Sequence, residues 1–318
     1  MKTVSLFIFL CFLILVARAQ GNKSYEPVDN FVQSLGRLDS FNVATIADTL
    51  TSKFPEKINK ARAIYYWIAN NISIDTKATR SNDNSKSDPV IVIKTRKATS
   101  LGFATLVQEM SSMANIRCLV VDGYVKNFAE DINNKADGVN HSWNVIQLGQ
   151  SPEQWYYVDA AKASGTFDIK YAVFTENFTS NYFFADKTLF NLDHYPDNGA
   201  WQLGNGPKNL KDFYALPVIL PAAYTLGVQK PQPMNGFIKS KTKNTTTFSF
   251  NYNPDITISN ISLVMGEGKK QQKPEPVNFS QGNGIISFTW KFKKDDTYPV
   301  TIVADGKPIL QYYAEIEE

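Results

Sequence analysis

"KTRKATSLGFATLVQEM", residues 94–110, reads as a loop running into the start of a helix. Phe103, Leu106, Val107, Met110, Met113 and Ala114 recur with the 3.6-residue period, which predicts a single apolar face. Thr99 and Ser100 stand just before that face, where a helix exposes backbone N–H groups with no intrahelical partner. Such an end stabilises negative charge, so a nucleophile is often placed there. Ser100 is therefore a nucleophile, the relic of one, or a cap.

The neighbouring segments place this helix in a mixed fold. "KINKARAIYYWIANNI" (57–72) predicts an amphipathic helix with Ile58, Ala61, Tyr65 and Ile68 as its stripe and Ile64 and Trp67 beside it. Residues 76–90 read as a charged, Ser/Asn-rich loop. "RCLVVDGYV" (117–125) predicts a buried strand, and "VNHSWNVIQL" and "QWYYVDA" predict two more, joined around Gly149-Gln150-Ser151-Pro152. Helices followed by antiparallel strands give an α+β class. From residue 229 the character changes to short β-branched or aromatic runs divided by turn signals. That spacing predicts a C-terminal antiparallel β-sandwich, immunoglobulin-like in its strand spacing, over 229–318, with "QKPQPMNG" (229–236) as the linker and 20–228 as the first domain.

The N-terminus reads as an export signal over 1–19. Lys2 is the positive start, Leu6 to Val16 the apolar run and Ala17-Arg18-Ala19 the cleavage site, so the mature chain is expected to begin near Gln20 in a secreted or periplasmic location. No later run is long enough to span a membrane. Of 33 basic and 30 acidic residues, Lys2 and Arg18 leave with the signal, and the near-neutral remainder has no electrostatic footprint for nucleic acid. Of the two cysteines, Cys11 falls in the signal, so Cys118 has no intramolecular disulfide partner and no structural zinc site can be built on thiolates. His141, Cys118 and His194 with a carboxylate could supply metal donors, but no metal or cofactor is expected. His194, in "DHYPDNG", reads as structural. Asn-x-Ser/Thr sequons occur along the chain and matter only in a glycosylating host.

His141, Trp143 and Val145 share one strand face, and Trp155, Tyr157 and Asp159 share a face of the next. A three-residue loop at 149–151 would set His141 opposite Asp159, and Pro152 invites a bulge there. A hydroxyl or thiol, a histidine base and a carboxylate that fixes the imidazole tautomer are the parts of acyl transfer.

With "KARAIYYWIANNI", "RKATSLGFATLVQEMSSMANIRCLVVDGYVK", "NHSWNVIQL" and "WYYVDA" in order, the chain resembles the transglutaminase-like superfamily of papain-type folds. "FFADKTLFNLDHYPDNGAWQL" followed by "DFYALPV" narrows the resemblance to the kyphoscoliosis peptidase branch, over about residues 25 to 225. The resemblance implies a helix opening Cys-x-Gly-aromatic-Ala. Gly102, Phe103 and Ala104 match it, and Ser100 occupies the cysteine position. It also implies that His141 and Asp159 hold the catalytic histidine and aspartate positions. The Ala-Thr-Trp-Gly that follows the family's aspartate is absent; Ala160, Ala161, Lys162 and Ala163 stand there instead. Gly102, Trp143 and Lys162 are the residues expected to form the binding groove around these positions.

A thiol of pKa about 8.5 ionises beside a histidine and a helix N-terminus. An alcohol lies nearer to water, about 15.7, and does not. The expected protein is thus a pseudoenzyme whose old cleft binds a protein or peptide. The alternatives are an active serine peptidase or acyl transferase using Ser100, His141 and Asp159, and a cell-envelope structural module. No oligomeric state follows from the sequence.

Overall fold

The computed structural model describes residues 24–149, 154–168 and 173–318. The export signal, the start near Gln20 and the residues Gln150, Ser151 and Pro152 of the expected turn lie outside the described residues.

The first half is a helical layer on a small antiparallel sheet. Helices Glu26–Leu35, Val43–Thr51 and Lys57–Asn71 lead to the cleft helix Ser100–Met113. The sheet runs in the order Gln154–Val158, His141–Leu148, Arg117–Val125, His194–Pro196, with every pair antiparallel. The periodic positions explain the join: Phe103, Leu106, Val107 and Met110 are buried against Trp67, Ile68, Val145 and Ile146 in one core. Met113 departs from the predicted face and is 46% exposed, although Met110 and Ala114 on either side of it are buried. Residues 76–90 are not all loop. Asp75 caps a short helix, Thr76–Arg80, by accepting from Ala78 N–H, and Asp88 with Pro89 opens another, Pro89–Thr95.

The Lys57–Asn71 helix is buried well beyond a stripe, and its Arg62 is only 1% exposed. Its guanidinium makes a forked pair with Asp29, at 2.8 Å and 2.6 Å, and donates to Ser180 Oγ. A buried cation persists only when so paired, so Arg62 staples the N-terminal helix to the core.

The second half is two packed sheets. One has the order Gln229–Gln232, Thr245–Asn251, Ile285–Lys291, Phe279–Gly282. The other has the order Phe237–Lys241, Lys307–Glu317, Asp296–Ala304, Ile261–Met265, Glu275–Pro276. Phe248, Phe250, Phe288, Ile302 and Tyr312 fill the space between. Pairing is antiparallel except for Phe237–Lys241, which runs parallel to the C-terminal strand. Val218–Ile219 also pairs with that strand, at Gln311 and Leu310, so the sheet takes in chain that precedes residue 229.

Candidate active site

The Asn-His-Ser-Trp-Asn run is decoded by its hydrogen bonds. Asn140 pins the strand pair, accepting from Val125 N–H and donating to Val125 C=O. Asn144 donates from its buried amide to Ala104 C=O at 3.0 Å, tying the sheet to the cleft helix. Between them, Ser142 N–H donates to Ser100 Oγ at 3.2 Å. Thr99 is the N-cap by backbone, yet neither its side chain nor that of Ser100 caps the helix. Thr99 Oγ1 instead donates to Asn84 Oδ1.

His141 and Asp159 meet, but through a different register from the one expected. Leu148 pairs with Gln154 and Asn144 with Val158, two residues away from the alignment that a three-residue loop would give. A two-residue shift keeps every side chain on its face, so His141 lies diagonal to Asp159 and still reaches it. Nε2 of His141 is 2.6 Å from Asp159 Oδ2. Asp159 ends its strand as N-cap of the Ala160–Ser164 helix, with Oδ1 accepting from Lys162 N–H at 2.8 Å.

His194, which reads as structural in the sequence, joins the same carboxylate. It lies fully buried on the far strand of the sheet with Nε2 3.0 Å from the same Asp159 Oδ2. Its ring stacks on Phe190 at 3.8 Å between centroids. Burial alone would raise the Asp159 pKa, but the charge and hydrogen bond of His141 and the hydrogen bond of His194 outweigh it and hold the carboxyl well below its usual range. An ionised carboxylate only accepts, so both imidazoles carry hydrogen on Nε2. Burial lowers the His194 pKa against the pull of Asp193 and Asp159. Its Nδ1 sits 3.5 Å from Asp193 Oδ2 with no hydrogen-bond partner.

Ser100, His141, Lys162, Arg80, Asn140 and Phe167 line a cavity of about 310 Å³. A second cavity, of about 400 Å³, shares Lys162, Gly165 and Phe167 with it and continues toward the sandwich at Leu220 and Gln311. Of the residues expected in the groove, only Lys162 lines it. Trp143 is 1% exposed, packed edge-on to Phe190 and His194 beneath the cleft. Gly102 is buried where the helix crosses Ala98; an added Cβ would lie 2.8 Å from the Ala98 Cβ, so it serves close packing. No hydrogen bond joins Ser100 to the His141 ring. Among the described residues, His141, Asp159 and His194 are the one trio close enough to hold a metal ion, but both rings aim their N–H groups at one oxygen. Cys118 stands outside that trio, and burial pushes its thiol up to about 12. Also among the described residues, no helix is long and apolar enough to cross a membrane.

Residues 44–160 match the family described as Transglutaminase-like superfamily. The chain is 27% identical over 263 residues to kyphoscoliosis peptidase of Mus musculus, an alignment covering 81% of this chain and 36% of the relative. It is 27% identical over 259 residues to kyphoscoliosis peptidase of Homo sapiens, with the same coverage. Hillarin of Drosophila melanogaster is 23% identical over 215 residues, covering 64% of this chain and 26% of its own. The chain thus spans about a third of the length of the curated relatives it matches, and its similarity is to the transglutaminase-like superfamily over residues 44–160 and to kyphoscoliosis peptidases over most of this chain.

Proposed function

We propose that this transglutaminase-like protein is secreted and catalytically degenerate, and that the cleft between Ser100, His141 and Lys162 binds a protein or peptide segment. One observation carries the reading. The Ser100 hydroxyl is held by the Ser142 amide rather than by the His141 ring. A serine nucleophile depends on a base in hydrogen-bond reach, because its alcohol does not ionise as a thiol does. The cleft itself persists, lined by Arg80 and Lys162, and shares Lys162, Gly165 and Phe167 with the second cavity.

A second reading, a serine acyl transferase, is favoured by the intact His141–Asp159 pair. A serine-reactive fluorophosphonate probe separates the two, with Ser100→Ala as control. The expected outcome is no Ser100-dependent labelling, together with capture of peptides from a displayed library that is weakened in Lys162→Glu. Clean Ser100-dependent labelling overturns degeneracy. Neither labelling nor peptide capture would leave the core as a spacer for the sandwich. Export is tested by N-terminal sequencing of the released protein, expected to start near Gln20.

A further inference from the structure

We propose that His194 is a positioning residue that, by sharing the Oδ2 atom of Asp159 with His141, sets the basicity of His141 from beneath the cleft. The inference stands apart from whether the cleft binds or catalyses. Asp159 Oδ2 lies 2.6 Å from His141 Nε2 and 3.0 Å from His194 Nε2, and Oδ1 takes the Lys162 amide. Three donors therefore divide one negative charge. A carboxylate so divided stabilises an imidazolium less than one that faces a single imidazole.

The arrangement is built rather than incidental. His194 is clamped between the Phe190 ring at 3.8 Å and the edge of Trp143 at 5.2 Å, which fixes the direction of Nε2. Its other nitrogen faces Asp193, whose carboxylate is itself held by Tyr224 and Tyr182 hydroxyls at 3.1 Å and 3.4 Å. Lys162 Nζ stands 3.8 Å from Asp193 Oδ1. The charged and titratable groups beneath the pair are Asp159, Asp193 and Lys162, with Lys126 acting on Asp193 and Tyr65, Tyr182 and Tyr224 beside them, while Arg80 and Asp137 line the cleft that His141 faces.

The chain contains two histidines, and both are in this network. Nitrogen-15 labelling of histidine therefore gives two ring systems that a single pH titration of the intact protein can follow. The wild type is expected to show His194 as the Nε2–H tautomer. In His194→Phe, which keeps a ring on Phe190 but removes the donor, the His141 titration should move to higher pH. In His194→Gln, whose amide nitrogen can take the place of Nε2, it should return toward the wild-type position. Circular dichroism of each variant shows whether it is folded, and if His194→Phe does not fold, the tautomer and the Gln variant still decide. A Nδ1–H tautomer, or a His141 titration unmoved in a folded His194→Phe, overturns the proposal. So does stoichiometric zinc uptake that removes both ring signals, since the same atoms would then be metal donors.

Discussion

Ser100 and Cys118 make opposite use of similar chemistry. Cys118 is buried, and its thiol is pushed up to about 12 by desolvation, so it stays protonated at neutral pH. A thiol introduced by Ser100→Cys would stand at the first turn of a fourteen-residue helix in the cleft that His141 also lines. It should react with iodoacetamide at least about tenfold faster than Cys118 at pH 7, and His141→Ala should abolish the difference. Mass spectrometry of the two tryptic peptides reads both rates in one sample. Lys126 gives a second prediction. Its ammonium is 1% exposed, donates to Phe213 C=O at 2.8 Å, and is lowered by burial to about 7. The unfolded chain holds that proton up to about 10.4, so above pH 7 the unfolded state binds more protons and stability rises with pH. The wild type should gain roughly 2 kcal/mol from pH 7 to 9 relative to Lys126→Met, measured by urea unfolding at each pH.

At the scale of elements, the strand that carries His194 rests on a glycine. Gly123 pairs with both His141 and Pro196, and a Cβ there would meet Tyr195 O at 2.3 Å and the Trp143 ring at 2.6 Å. Gly123→Ala must push one neighbour away, and should cost about 1–3 kcal/mol in denaturant unfolding. Gly138→Ala, where nothing lies within 4 Å, is the matched control and should be near neutral. The same elements show how much of the site was legible in the sequence. Phe103, Leu106, Val107 and Met110 announce their helix because burial of one face imposes a period. Strand alternation likewise put His141 and Asp159 on a common face, and a face survives a two-residue shift in register. Hairpin length and register follow from loop geometry, which alternation does not encode. Trp143 shares the strand face of His141 yet is covered, because alternation gives the face and not how far along the strand the cleft extends. His194 reads as structural, but its contact with Asp159 is not legible for a related reason. It reaches Asp159 from 35 residues downstream, through a turn-rich segment whose composition says nothing about where its ring points.

For the whole molecule, the join between the halves is shared chain rather than a free linker. Val218–Ile219 leaves the core side and pairs with the C-terminal strand, and the Pro221–Leu226 helix buries Ala223 beside it. A fragment spanning 217–318 should therefore unfold cooperatively in urea. A fragment spanning 229–318 bares the edge of Leu310 and Gln311 and should have a lower midpoint or associate through that edge. Equal midpoints for the two would show that the crossing strand adds nothing to the sandwich.

Trp143 lies beside both imidazoles, its ring near-parallel to His141 at 6.4 Å and edge-on to His194 at 5.2 Å. An indole excited beside an imidazolium loses emission to the cation, whereas a neutral imidazole quenches weakly. The protonation of the cleft is consequently written into the protein's own fluorescence, as a pH-dependent component that Trp143→Phe removes. A ligand that changes the charge on His141 would report its own arrival by light, with no label attached.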